Sequence, residues 1–200
     1  YLSREGEDTN EHYYVKIEAA KLLLDKAGIE NYVITGTAKR EDGASEGHMW
    51  NVVFIDGKPY NLDLTWDDPI GEGVTQNKRY AYFNITDEEI LKTHTFSDAS
   101  ACCTATDSNY FVKLGRQFDG YNAETKTALS NMFSGHKSGD KLDVRFSSKD
   151  AYQSAIDGLL KKEDIYRLLS IADAGKGGFS TTQINYIADD THCVIEFILV

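Results

Sequence analysis

An α+β fold is what this sequence predicts: a helix packed on an antiparallel sheet, followed by a further α+β layer. Three observations carry that expectation. Over residues 13–27, Val15, Ile17, Ala19, Ala20, Leu22, Leu23, Leu24 and Ala27 recur with helical spacing, and Gly28 stops the run. Over residues 47–69, two short apolar runs flank Asp56-Gly57, the pattern of a β-hairpin closed by a tight turn. From about residue 116 the order is strand, helix, strand, helix, helix, strand, strand, which suits a small layer of its own. The expected division is therefore 1–115 and 116–200.

Each element has a local reason. Residues 1–12 are polar and expected to fray. A strand over 32–37 follows the helix, and a loop over 39–47, rich in Glu, Asp, Gly and Ser, leads into the hairpin. There Val52 and Phe54 on one strand answer Tyr60, Leu62 and Leu64 on the other. A turn-rich stretch over 69–78 carries Gly71 and Gly73, and a strand is expected over 80–85. Thr86 then reads as a helix N-cap with Glu89 as its capping-box partner. In the second half, helices are expected over 122–133, 149–160 (capped by Ser148) and 163–172, the last ending near Gly175. A strand over 141–146 separates the first two helices. The chain closes with strands over 183–188 and 192–200, joined at Asp189-Asp190-Thr191 as a hairpin.

Composition narrows the classes of function. The 200 residues supply enough apolar content for a proper core. A net charge of −11 excludes a general nucleic-acid or anionic-membrane surface, which needs clustered Lys and Arg. No apolar run approaches the length of a transmembrane segment. The sequence shows no signal peptide, but it begins at Tyr1, so an upstream signal or anchor would lie out of view.

Cys102, Cys103 and Cys193 make no CxxC pair and no zinc pattern. Buried free thiols are the expectation, with a bridge from Cys193 to Cys102 or Cys103 as the alternative. The small-residue loop around Cys102 and Cys103 offers no helix N-terminus to activate a thiol. His12, His94, His136 and His192 stand without His or carboxylate at ligand spacing, so no metal site and no cofactor is expected. Asp67-Asp68-Pro69 reads as an Asp-capped turn rather than a calcium loop.

The chemistry sits in the hairpin. His48 opens its first strand and Asp63 lies well along the second, so an antiparallel return brings them side by side. The carboxylate is then placed to accept the His48 Nδ1–H, fix the tautomer and steady an imidazolium, as the base of a thiol or hydroxyl nucleophile requires.

The segment Gly47-His48-Met49-Trp50-Asn51, together with Asp63-Leu64-Thr65-Trp66-Asp67-Asp68-Pro69, resembles the His/Asp half of bacterial members of the transglutaminase-like superfamily. The resemblance covers roughly residues 11–112. Upstream, 20–30 and 32–38 look like the family's nucleophile helix and the strand after it. Downstream, Asn84-Ile85-Thr86-Asp87-Glu88-Glu89 followed by a His, then Thr104-Ala105-Thr106 and Asn109-Tyr110-Phe111, match family segments. The resemblance implies a papain-like core and a Cys-His-Asp triad of which His48 and Asp63 are two members. The family's Cys falls at or near Tyr13, and the sequence has no Cys before Cys102. A phenol with a pKa of about 10 is no ready substitute for a thiol.

Three readings follow. The first is a catalytically inactive domain, extracellular or on a cell surface, binding peptide or glycan in the emptied groove. The second is an active thiol-dependent enzyme of the transglutaminase or peptidase type whose Cys is relocated or removed. The third is a structural scaffold. Trp50, Trp66, Tyr14 and His12, with Tyr13 and the 80–83 aromatic cluster, are the candidate groove residues. Packing of the hairpin is the competing role for Trp50 and Trp66, and an exposed helix start that for His12.

Overall fold

The computed structural model describes residues 9–40, 43–67, 80–97 and 101–200, and side chains from Val15 onward within the first helix. The chain divides into two compact units, one reaching Lys113 and one carrying Leu114–Val200.

The first unit is built on a five-stranded sheet. Helix α1 (Thr9–Lys26) precedes β1 (Asn31–Lys39), β2 (Ser45–Ile55) and β3 (Lys58–Leu62). Then come α2 (Leu64–Asp67), β4 (Phe83–Ile85), α3 (Asp87–Ile90), β5 (His94–Phe96) and α4 (Tyr110–Lys113). The strand order is β4-β3-β2-β1-β5, antiparallel throughout. Alternation along β2 separates two apolar layers. Trp50 and Val52 join Ile34, Tyr82, Ile85 and Ile90 on one face. Val53 joins Tyr60 and Leu62 on the other, where Leu24 of α1 packs.

Several boundaries depart from expectation. α1 begins at Thr9 rather than 13, because the polar residues 9–12 continue the helix without contributing to the apolar period. The strand expected over 80–85 is confined to Phe83–Ile85. Tyr82 uses its backbone elsewhere: its carbonyl accepts from the Asp63 N–H (3.2 Å) and its N–H donates to Asp67 Oδ1 (2.8 Å). β5 was not expected at all, since three residues carry no readable alternation. The loop over 69–78, residues 1–8, and Asp68 and Pro69 of the acidic turn lie outside the described residues. Thr86 caps α3 as expected, its hydroxyl accepting from the Glu89 N–H at 3.2 Å.

A chain of side-chain hydrogen bonds ties the later segments of the unit to the hairpin. Trp50 Nε1–H donates to Asn61 Oδ1 (2.9 Å), Asn61 Nδ2 donates to Asp87 Oδ1 (2.8 Å), and Asp87 Oδ2 accepts the Cys103 N–H (3.1 Å). Buried Asn109 donates to the Phe83 carbonyl (3.1 Å) and accepts from the Phe111 N–H (3.0 Å).

The second unit holds β6 (Gln117–Phe118), α5 (Ala123–Phe133), β7 (Lys141–Phe146) and α6 (Lys149–Ala155), which widens into a π-helical turn over Ile156–Lys161. α7 (Asp164–Asp173), β8 (Ile184–Asp189) and β9 (Val194–Leu199) complete it. The sheet order is β6-β7-β9-β8, with β8 and β9 forming the expected closing hairpin. Leu129, Phe133, Val144, Tyr152, Leu159, Leu168, Leu169, Ile195 and Phe197 make its core. Ser148 caps α6 through the Ala151 N–H (3.2 Å). His136 and His192 each pair with a nearby carboxylate, Asp140 and Asp189, both at 2.9 Å.

Candidate functional site

Three strands of the first unit bring three titratable side chains together. His48 is on β2, His94 is on β5, and Asp63 follows the last residue of β3. β1 lies between the two histidines: Gly36 pairs with His48 on one side and Phe96 on the other, and Ala38 pairs with His94. A Cβ at Gly36 would lie 1.9 Å from the Thr95 carbonyl oxygen and 2.9 Å from Trp50 Cη2. The bare glycine is what lets β5 approach β1 so closely.

Asp63 is the hub. Its Oδ2 accepts from His48 Nε2–H at 2.6 Å and from His94 Nε2–H at 3.1 Å. Its Oδ1 accepts the N–H groups of Thr65 (2.9 Å) and Trp66 (3.2 Å), so the same carboxylate caps α2. Burial alone would push this carboxyl up. The hydrogen bonds and charges of the two histidines outweigh that and bring it down to about 2. The expected His48–Asp63 contact is therefore present, but through Nε2 rather than Nδ1. Acid–base work by His48 would fall to Nδ1.

Sequence reasoning missed His94, read as having no His or carboxylate at ligand spacing along the chain. It is buried on the shared carboxylate. Burial holds its pKa below the usual histidine value, so the neutral ring presents Nδ1 as an acceptor for the Thr93 hydroxyl at 2.8 Å. Tyr82 OH reaches Thr93 Oγ1 at 3.1 Å, extending the chain of hydrogen bonds to Tyr82-Thr93-His94-Asp63-His48. The one available signal was the His that follows the Thr86-Asp87-Glu88-Glu89 segment.

Aromatic rings close this cluster. Trp66 lies 5.9 Å from His48 and 4.9 Å from His94, centroid to centroid, and meets Tyr82 edge-on. Trp50, a candidate ligand contact, is fully buried between His94 and Phe96. It packs the sheet and offers no face to a ligand. Trp66 is half-buried. The side chains of His12, Tyr13 and Tyr14 lie outside the described residues, although their backbone belongs to α1.

His48, Asp63 and His94 place ligand atoms within 4.8 Å of one another, the spacing at which a cation could be held. This grouping corrects the expectation that His94 has no partner at ligand distance. The 2.6 Å contact is nevertheless shorter than the roughly 3.3 Å between two ligands of a tetrahedral zinc. Protons draw this cluster together.

Asp67 lines a cavity of about 480 Å³ with Lys16, Ala19, Ala20 and Leu23 of α1, and with Leu64, Tyr80 and Phe83. Tyr80 is stacked on Tyr110 at 3.7 Å. Among the described residues no helix is long and apolar enough to cross a membrane.

The arrangement defines a buried carboxylate shared by two histidines on an antiparallel α+β sheet. No family model matches this chain, and no curated protein matches it.

The cluster has a calculable pH signature. His94 is held neutral, so protons favour the unfolded chain once the pH drops below the ordinary histidine value of 6.5. Asp63 contributes stability above its unfolded value of 3.8, lost as the pH falls toward about 2 and worth on the order of 2 kcal/mol. The cluster's contribution to denaturant midpoints is expected to decline below about pH 6.5 and more steeply below about pH 4, with Asp67, held well above the usual carboxylate value, acting in the opposite sense. His94→Gln should flatten the upper arm and leave the lower.

Proposed function

We propose that the first unit is a catalytically inactive transglutaminase-like domain that binds peptide or glycan. The observation that carries this reading is an ordered His48–Asp63 couple with no thiol fit to serve it. Cys102 is exposed on a loop. Cys103 is buried, and burial together with Asp87 pushes its thiol up to about 12, far from the thiolate a nucleophile needs. Cys193 belongs to the other unit. α1 against an antiparallel sheet, with the couple at the end of the β2–β3 hairpin, is the arrangement a papain-like core calls for. The cavity between α1 and α2 supplies the groove, aliphatic on the helix side and aromatic at Tyr80 and Phe83.

The test is turnover by the unmodified chain on glutamine-donor and peptide panels. Expected is no rate above that of His48→Ala and no effect of iodoacetamide, because loss of one member of such a unit removes most of its catalysis. Robust turnover lost on Cys102→Ser or Cys103→Ser would restore a working thiol enzyme. Failure to bind any of a broad peptide and glycan array would leave a structural scaffold.

A further inference from the structure

Asp67 is the one carboxylate among the described residues that line this cavity, and its environment is lopsided. Oδ1 accepts the Tyr82 N–H at 2.8 Å, while Oδ2 is buried with no hydrogen-bond partner, on a residue that lines the cavity. Asp67 is 4 % exposed. A bare carboxylate oxygen in such a place is costly, so the stable form carries a proton there. Burial and the neighbouring charge of Asp63 hold its pKa well above the ordinary value in the same sense. Among the described residues the titratable groups around it are Asp63, with His48 and His94 behind it, Lys16 from α1, and Tyr80 and Tyr82 from the 80–82 turn. Oδ2–H is thus a buried donor in need of an acceptor.

The rest of the lining says what accompanies that acceptor. Ala19 and Ala20 keep the helix side shallow, Leu23 and Leu64 are aliphatic, and Tyr80 and Phe83 bring ring faces. Among the described residues Asp67 and Lys16 carry the ionisable groups of the lining, with the Tyr80 phenol beside them, fewer polar groups than the many hydroxyls of a sugar need, whereas an aliphatic side chain would fill the cavity. We propose that the cavity takes an uncharged aliphatic segment of a peptide, whose carbonyl oxygen accepts a hydrogen bond from the Asp67 carboxyl. This rests on the reading of the first unit as a binding domain and narrows its ligand to one that is neutral at this point.

The test is NMR titration of the ¹⁵N-labelled full chain with N-acetyl-leucine methylamide, with isopentylammonium (the same aliphatic body bearing a cation), and with chitobiose. The amide is expected to shift Ala19, Ala20, Leu64 and Phe83, and the other two to leave them in place. Asp67→Asn should retain amide binding, since its carbonyl still takes the Tyr82 N–H and its amide N–H donates where the acid did. Asp67→Leu should weaken binding about tenfold. The parent chain should lose affinity as the pH rises through the Asp67 titration, and Asp67→Asn should show no such dependence. If Asp67→Leu does not fold, Asp67→Asn and the exposed cavity-filling Ala19→Phe carry the result, the latter abolishing binding. Preference for the ammonium probe with loss on Asp67→Asn, or for chitobiose, overturns the proposed ligand and leaves a binding domain standing. Silence of all three probes at the cavity residues overturns the cavity as a binding site.

Discussion

Gly36→Ala is expected to detach β5 from β1. The added Cβ would lie 1.9 Å from the Thr95 carbonyl oxygen, which is backbone and has no rotamer to give, and 2.9 Å from Trp50. Relief requires β5 to move away, and β5 carries His94. The expected cost is about 3 kcal/mol, the upper range for overpacking a filled core. A second consequence separates this change from simple destabilisation. With His94 withdrawn from Asp63, His48 becomes the sole imidazole on that carboxylate, and the decline in stability between pH 6.5 and 4 should shrink. Denaturant melts across that range, with His94 ring signals followed by NMR, check both. A Gly36→Ala chain with parental stability and an unmoved His94 would mean that β5 does not approach β1 as described.

Asp63→Ala is expected to unfold the first unit or leave it marginal. The substitution strips acceptors from four donors at once: His48 Nε2, His94 Nε2 and the N–H groups of Thr65 and Trp66. Removing one side of a buried charged network typically costs about 3–5 kcal/mol, and loss of the α2 cap adds roughly 1 kcal/mol. That is a large share of the stability of a domain this size. Asp63→Asn is the gentler variant. Its carbonyl can keep the two backbone donors, while its amide N–H meets two histidine N–H donors until their tautomers change. An intermediate loss is expected, with the acid-labile step below about pH 4 reduced by the Asp63 share while lowered carboxylates elsewhere, such as Asp189, still titrate. Chemical denaturation of the three chains over pH 3–8 gives the comparison.

Much of the fold was readable from local rules. The Asp56-Gly57 turn sets the β2–β3 register, and that register carries His48 toward Asp63. Thr86 and Ser148 act as the caps their neighbours announce. The strand over Lys141–Phe146 and the β8–β9 hairpin follow from alternation. The absence of a Cys before Cys102 is likewise a property of the sequence by itself.

What only the tertiary structure decided is which groups share a proton. His94 lies 31 residues from Asp63, and a three-residue strand brings it there. No local pattern marks so short a strand. Its place depends on a single bare glycine in β1, and a missing Cβ signals nothing until a neighbour is known. The nitrogen of His48 that meets Asp63 depends on ring orientation under Trp66, which packing sets. Asp67 reads as a turn-capping carboxylate, and it becomes a buried acid only because the Tyr82 N–H draws one oxygen inward while α1 and Leu64 enclose the residue. Local rules act through chain spacing, whereas burial and charge depend on everything nearby. The sequence alone therefore determined the His48–Asp63 couple and the absence of a Cys before Cys102, and the packed structure assigned the ionisation of the couple and its third partner.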